Sequence, residues 1–288
     1  MLSTKIWDED KNLVPIELIK NRKRKYKDVA VVIVNRDRPD IADVLVKQID
    51  EVKGNLDVDT YVIEMGSVNP SKHMSFWYDD KDYRGKAYGH NVGVRFVRNI
   101  GKYRYYFIAM NDILFTTELG LERLVEISDA NPNIGILSPT EPDSGYAGGI
   151  CKPIKGRDFH CVSQCNYLGL LIRNECIENI GFLNPDFKYC WGAIHELSYK
   201  LYSNGYKVAY CDVVQMKHLG GTTYGKVKGT ISRDEYLLNA KRFAATYMRS
   251  HYGPNWDEKF SKVLTDDVVF NTYTKHKKRW EKALRGKI

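Results

Sequence analysis

The run Val29–Val34 in "DVAVVIVNRDRPD" places six apolar residues in succession, with no polar residue to mark a solvent side. Side chains alternate between the two faces of a strand, so such a strand must be covered on both faces. Helices packed on both sides of a parallel sheet supply that cover. The following residues fit the arrangement. After a loop from Asn35 to Pro39, the residues Ile41, Val44, Leu45, Ile49 and Val52 recur at helical spacing, with Gly54 as a stop. "VDTYVIEMGS" reads as a second strand closed by a Gly-Ser turn. A loop rich in Tyr, Asp and Lys then leads to a helix, "GKAYGHNVGVRFVRNIG". "YRYYFIAM" is a third strand, Leu121, Leu124 and Val125 mark a further helix, and "NIGILSP" is a fourth strand. This alternation over the first 140 residues predicts a parallel α/β sheet.

The second half is less regular. It holds Gly148-Gly149, the loop "CKPIKGRDFH", a strand "YLGLLIR", a helix from about Ala193 to Ser203, and the segments "YKVAYCD" and "MKHLGGTT". A helix from Ser232 to Arg249 and a basic amphipathic tail, "TKHKKRWEKALRGKI", follow. No Pro-, Gly- or Ser-rich linker divides the chain, so one main domain over 28–230 is expected, regular over 28–140 and mixed over 141–230. A polar, basic segment over 1–27 and a helical basic segment over 231–288 flank it.

Of the 288 residues, 44 are Lys or Arg and 36 Asp or Glu, a net charge of +8 that favours an anionic partner without choosing one. No nucleic-acid motif accompanies the charge, so a nucleic-acid partner is not expected. The six cysteines form no Cys-X-X-Cys pair and are read as reduced thiols of a cytoplasmic protein. The N-terminus is acidic and lacks an apolar centre, unlike a signal peptide, and no apolar run approaches the roughly 20 residues that span a bilayer. The basic runs Lys20–Lys27 and Lys275–Lys287 are solvated surface by default, or a peripheral contact with an anionic membrane.

Ligands of parallel sheets bind beyond the carboxyl ends of the strands. That rule selects Asn35-Arg36, Glu64-Met65-Gly66-Ser67 and Asn111-Asp112. Asp112 is either a turn residue or a ligand for a hard cation that holds phosphate oxygens. Glu64 is either a solvated charge or an acceptor for a nucleobase N–H, with Gly66 and Ser67 allowing close backbone approach. Three glycines around Asn91 at a helix start, with Lys86 among them, suit a phosphate or sugar. Glu196 is either a first-turn charge favoured by the helix dipole or a general base for a sugar hydroxyl, with His195 beside it and Trp191 ahead of it as a stacking platform for a sugar ring. His218 is structural, or joins Asp112 on a metal or contacts a phosphate.

The ordered segments "VVIVNRDRP", "YVIEMGS", "GKAYGHNVG", "FIAMNDILFT", "LGLLIRNECIENIGFLNPDF", "HELSYKLYSNGYKVAYCD" and "MKHLGG" resemble the inverting family 2 glycosyltransferases of GT-A fold, in particular their rhamnosyltransferase-like branch. The resemblance spans Val29 to Thr223. It implies a Rossmann-like, mostly parallel central sheet flanked by helices, with a mixed C-terminal half. It also implies a nucleoside diphosphate sugar donor and a glycan or glycolipid acceptor, met by a nucleotide-binding half over 28–140 and an acceptor half over 141–230. On this resemblance Asn35 and Arg36 cradle the nucleotide and Glu64 meets its base. Asp112 ends an Asp-X-Asp motif that holds Mn²⁺ or Mg²⁺ on the diphosphate, His218 closes the site near that metal, and Gly148-Gly149 and Trp191-Gly192 line the sugar and acceptor region.

Three departures are visible. Met110 stands at the first position of the Asp-X-Asp motif, which implies weak or dispensable metal binding. Glu64 stands where the family has Asp. Ala193-Ile194 stand where its Glu-Asp pair carries the catalytic base, leaving Glu196 as the nearest carboxylate. Sugar transfer with Glu196 as base is therefore the expected activity, and a catalytically inactive sugar-nucleotide or glycan-binding module the alternative.

Overall fold

The computed structural model describes residues 5–7, 13–15, 26–80, 85–187, 189–220 and 231–286. Two short strands, β1 (Lys5–Trp7) and β2 (Leu13–Pro15), pair antiparallel. Most of the N-terminal basic run, Lys287, and Arg84, a candidate with Lys86 for offsetting charge on a diphosphate, lie outside the described residues.

The first half builds β3 (Lys27–Asn35), α1 (Pro39–Val52), β4 (Val58–Met65), β5 (Met74–Tyr78), α2 (Lys86–Ile100), β6 (Tyr103–Met110), β7 (Ile113–Phe115), α3 (Gly120–Ala130) and β8 (Ile134–Thr140). Pro39 opens α1 at a position where its missing N–H costs nothing. The second half adds β9 (Phe159–Val162), β10 (Gly169–Arg173), α4 (Asn174–Ile180), α5 (Ala193–Ser203), β11 (Lys207–His218), α6 (Arg233–Tyr252), α7 (Trp256–Ser261), β12 (Val268–Phe270) and α8 (Tyr273–Leu284). The Ser232 side chain caps α6 by accepting the Glu235 N–H at 3.2 Å.

Ten strands form one sheet in the order β12-β9-β11-β8-β10-β6-β3-β4-β5, with β7 attached to β11. β3 runs parallel to both β4 and β6, and β8 parallel to β11, while β10 lies antiparallel between β6 and β8. The sheet is mostly parallel, as expected. The segment between β4 and α2, read from sequence as loop, contains the edge strand β5.

The uninterrupted Val29–Val34 run is explained by two cores. Ala30, Val32 and Val34 enter one with α2, α5, α6 and α8, whereas Val29, Val31 and Ile33 enter the other with α1 and α3. Gly93 permits the close approach of α2, since a Cβ there would lie 2.6 Å from Val32 Cγ1 and 2.8 Å from Ile63 Cγ1. The C-terminal helices share the first core through Ala244, Met248, Trp256, Phe260, Tyr273 and Trp280. The segment expected to be an amphipathic tail is thus a docked helix. Its apolar face covers the protein's own core.

Candidate functional site

The carboxyl ends of β3, β4, β6, β8 and β11 lie along one edge of the sheet. The short strand β7 explains why the chain turns apolar again after Asn111-Asp112. It pairs antiparallel with the end of β11, setting Ile113 opposite His218, and Leu219 N–H donates to Asp112 O at 2.9 Å. A register shift between Cys211 and Gln215 separates the part of β11 that follows β8 from the part that follows β7. Asp112 and His218, far apart in sequence, consequently meet: His218 Nε2 lies 3.4 Å from Asp112 Oδ2.

On the other side of the ring, His218 Nδ1 lies 4.0 Å from Glu141 Oε1. Glu141 follows β8, is 7% exposed, and accepts a hydrogen bond from Asn166 Nδ2 at 2.6 Å. Burial pushes its carboxyl above the usual range, while His218, Ser144 and Asn166 pull it the other way. These three side chains border a cavity of about 400 Å³. Lys86, Asn111, Trp191 and Gly192 border it too, with an aromatic wall of Tyr146, Tyr189, Tyr236 and Trp280.

Several expected site residues are placed elsewhere. Glu196 does not line this cavity; its Oε1 accepts from Tyr252 Oη at 2.5 Å and Asn184 Nδ2 at 3.3 Å, and its Oε2 lies 3.4 Å from Lys200 Nζ. The first turn of α5 rotates it toward α6, so it ties helices together and faces away from the cavity. His195 borders the cavity, but its ring nitrogens are buried and the ring packs 4.7 Å from His276 and 4.8 Å from Trp280, centroid to centroid. It is part of an aromatic core and is not available for proton transfer to substrate. Ile194 presents an apolar surface to the cavity where the resemblance places an acid.

Glu64 is fully buried and braces the ends of β3 and β4. Asn35 Nδ2 donates to its two oxygens at 2.9 and 3.1 Å, Ser71 N–H donates at 2.7 Å, and the Ser67 hydroxyl donates as well. The remaining Asn35 acceptor takes Asn111 Nδ2 at 2.6 Å. Both carboxylate oxygens of Glu64, expected to meet a nucleobase, are thus engaged by hydrogen bonds within the protein. Gly66, at φ 67°, hands its N–H to Tyr78 O at 2.7 Å. Arg36 pairs with Asp80 at 3.2 Å. Asn91 is spent on the carbonyls of Ala87 and Leu183 at 2.9 and 2.7 Å. Gly148 and Gly149 take positive φ in the turn after Tyr146, and it is Tyr146 that borders the cavity. Met110 ends β6 inside the second core and also touches the cavity.

No protein-family model matches the chain, and no curated protein matches it. Solved structures do. The mannosyltransferase PcManGT from Pyrobaculum calidifontis, in complex with GDP-Man and Mn²⁺, is 14% identical and aligns over 94% of this chain and 79% of its own, with a TM-score of 0.56. S. aureus TarS 1–349 is 10% identical over 82% of this chain and 70% of its own, at 0.51. GalNAc-T7 with UDP, GalNAc and Mn²⁺ is 11% identical over 91% of this chain and 61% of its own, at 0.56. The chain has the GT-A fold.

Within this GT-A frame, Glu141 borders the cavity without having been selected from the sequence. The strand-end rule that selects Asp112 applies to it equally, but β8 runs through Thr140, one residue past the segment "NIGILSP". Arg233, Tyr236, Arg279 and Trp280 were missed for a different reason: only the docking of α6 and α8 brings them to the cavity. Among the described residues, no group of three or more His, Cys, Asp or Glu side chains is arranged to hold a metal ion. Asp112 and His218 still offer the oxygen and nitrogen donors that suit a divalent cation completed by substrate phosphates, for which an all-protein cage is not needed. No helix among the described residues is long and apolar enough to cross a membrane. All six cysteines are buried and free.

Proposed function

We propose that this protein transfers a sugar from a nucleoside diphosphate sugar to a hydroxyl of a glycan or glycolipid acceptor, with inversion, as the resemblance to the rhamnosyltransferase-like branch implies. The observation that carries the reading is the meeting of Asp112, His218 and Glu141 at the ends of β6, β11 and β8, beside an aromatic cavity of about 400 Å³. Structures of the same fold hold GDP-Man or UDP together with Mn²⁺. Here Asp112 and His218 would hold the cation, whose chemistry when bound is to offset charge on the departing diphosphate. Lys86 adds a cationic side chain to the same cavity.

Two carboxylates line the cavity among the described residues, Asp112 and Glu141. With Asp112 assigned to the cation, Glu141 takes the proton of the acceptor hydroxyl in place of Glu196. The acceptor oxygen then bonds to the anomeric carbon as its bond to the diphosphate oxygen breaks, and the nucleoside diphosphate leaves with that electron pair. Asn166, donating to Glu141, holds the carboxylate in position.

Nucleotide binding and nucleotide release from a panel of UDP-, GDP- and dTDP-sugars with Mn²⁺ test the reading. Wild type should bind one class of donor, and Glu141→Gln should retain donor binding while losing at least about 100-fold in turnover. A protein that binds no donor in the panel, or a Glu141→Gln variant with undiminished turnover, would sink it.

A further inference from the structure

The cavity wall built by α5, α6 and α8 has a chemistry different from that of the strand ends. Trp191 stands just before α5, and the Arg279 guanidinium of α8 lies over its ring, 5.9 Å from the centroid. Arg233, the first residue of α6, borders the same cavity. Lys275 reaches the adjoining turn, where a Cβ on Gly148 would lie 2.7 Å from its Nζ. By contrast, Lys277 on the same helix is committed to Asp257 at 2.8 Å. The basic groups turned toward the cavity are thus distinct from those used to dock α8.

The outer face of α8 extends this pattern. Lys275, Lys278, Arg279 and Lys282 are exposed at spacings of three and four residues, which aligns them along one face. The opposite face, with Tyr273, His276, Trp280 and Ala283, is buried. A helix that inserts into a membrane surface needs a free apolar face, and α8 has used its own to cover the core. A charged track leading to an aromatic cavity suits a polyanionic chain better than a bilayer. A neutral glycan would gain stacking on Trp191 but would leave the cationic groups uncompensated.

We propose that the acceptor is an anionic saccharide whose ring stacks on Trp191, whose phosphate or carboxylate lies between Arg233 and Arg279, and whose chain follows Lys275, Lys278 and Lys282 along α8. This rests on the glycosyl-transfer reading and adds the acceptor class to it. Negative charge on the acceptor is compensated on the helical wall, away from the carboxylates at the strand ends.

Calorimetry without donor tests the proposal, using a phosphorylated maltotriose, a trimer of galacturonic acid, neutral maltotriose, and phosphatidylserine vesicles. One of the two anionic saccharides should bind at least about 10-fold more tightly than maltotriose, and the preferred one identifies phosphate or carboxylate as the group recognised. Arg279→Gln should weaken that binding about 10-fold, and Lys275→Gln/Lys278→Gln/Lys282→Gln should flatten its salt dependence, both leaving UDP or GDP binding unchanged. Equal binding of neutral and anionic saccharides would overturn the proposal. So would an Arg279→Gln variant that loses nucleotide binding only, which would assign the wall to the donor, or a triple variant that loses vesicle binding only. Arg279-dependent binding of an anionic saccharide by a protein that binds no nucleotide would support the surface while removing the transferase reading.

Discussion

Acidification should loosen α8 from the protein, and the effect can be worked out from two buried histidines. His195 and His276 pack against each other and Trp280, and their four ring nitrogens have no hydrogen-bond partner among the described residues. Burial, reinforced by Arg279 and Lys275, pushes the His276 pKa down to about 4, and burial together with His276 pushes that of His195 well below its ordinary value. A histidine neutral in the fold but ordinary when unfolded contributes stability that is present above the unfolded value of 6.5 and is lost as pH falls toward the folded one. For His276 alone, lowering the pH from about 7.5 to about 5.0 favours the unfolded chain by about 2 kcal/mol. His195 adds to the loss in the same direction. Urea unfolding at the two pH values, followed by the fluorescence of the buried Trp256 and Trp280, measures the sum over all groups. The His276→Phe variant isolates this one: its loss of stability across the interval should be smaller than that of wild type by about 2 kcal/mol. Equal losses in the two proteins would refute the reasoning, whatever the absolute stability of the variant.

Two further outcomes follow from the geometry. Glu196→Gln should keep its turnover, because the carboxylate faces Tyr252, Asn184 and Lys200, and should lose about 1 kcal/mol of stability in denaturant titration. Gly93→Ala should cost about 1–3 kcal/mol in the same titration, since the added methyl would meet Val32 Cγ1 at 2.6 Å and Ile63 Cγ1 at 2.8 Å in a closely packed core.

The frame of the molecule was largely legible because it depends on local pattern. Val29–Val34 demanded cover on both faces, and the structure supplies two cores that take alternate residues of that strand. Helices α1, α2, α3, α5 and α6 form in the segments expected to be helical, α1 and α3 where their apolar spacing places them. β5 was not legible, since five residues with one buried position carry little periodic signal. The place of β10 between β6 and β8 was not legible either, because local pattern does not specify which edge a late strand joins.

The site divides along the same line. Its ingredients at the strand ends could be named one by one, because a polar residue after a buried strand is a local event. Glu64, near the end of β4, and Glu196, in the first turn of α5, show the limit of reading a site from local segments. Each is an acidic residue in a promising segment, yet Glu64 is enclosed by Asn35, Ser67 and Ser71, and Glu196 is turned toward Tyr252. Alternating strands and helices therefore determined the parallel α/β frame and the edge at which ligands collect. Tertiary structure alone decided which carboxylates face the cavity and brought α8 with Arg279 and Trp280 to its wall. The physical reason is that a side chain's partners are set by long-range packing, through the β7–β11 pairing and the docking of C-terminal helices, which no local spacing encodes.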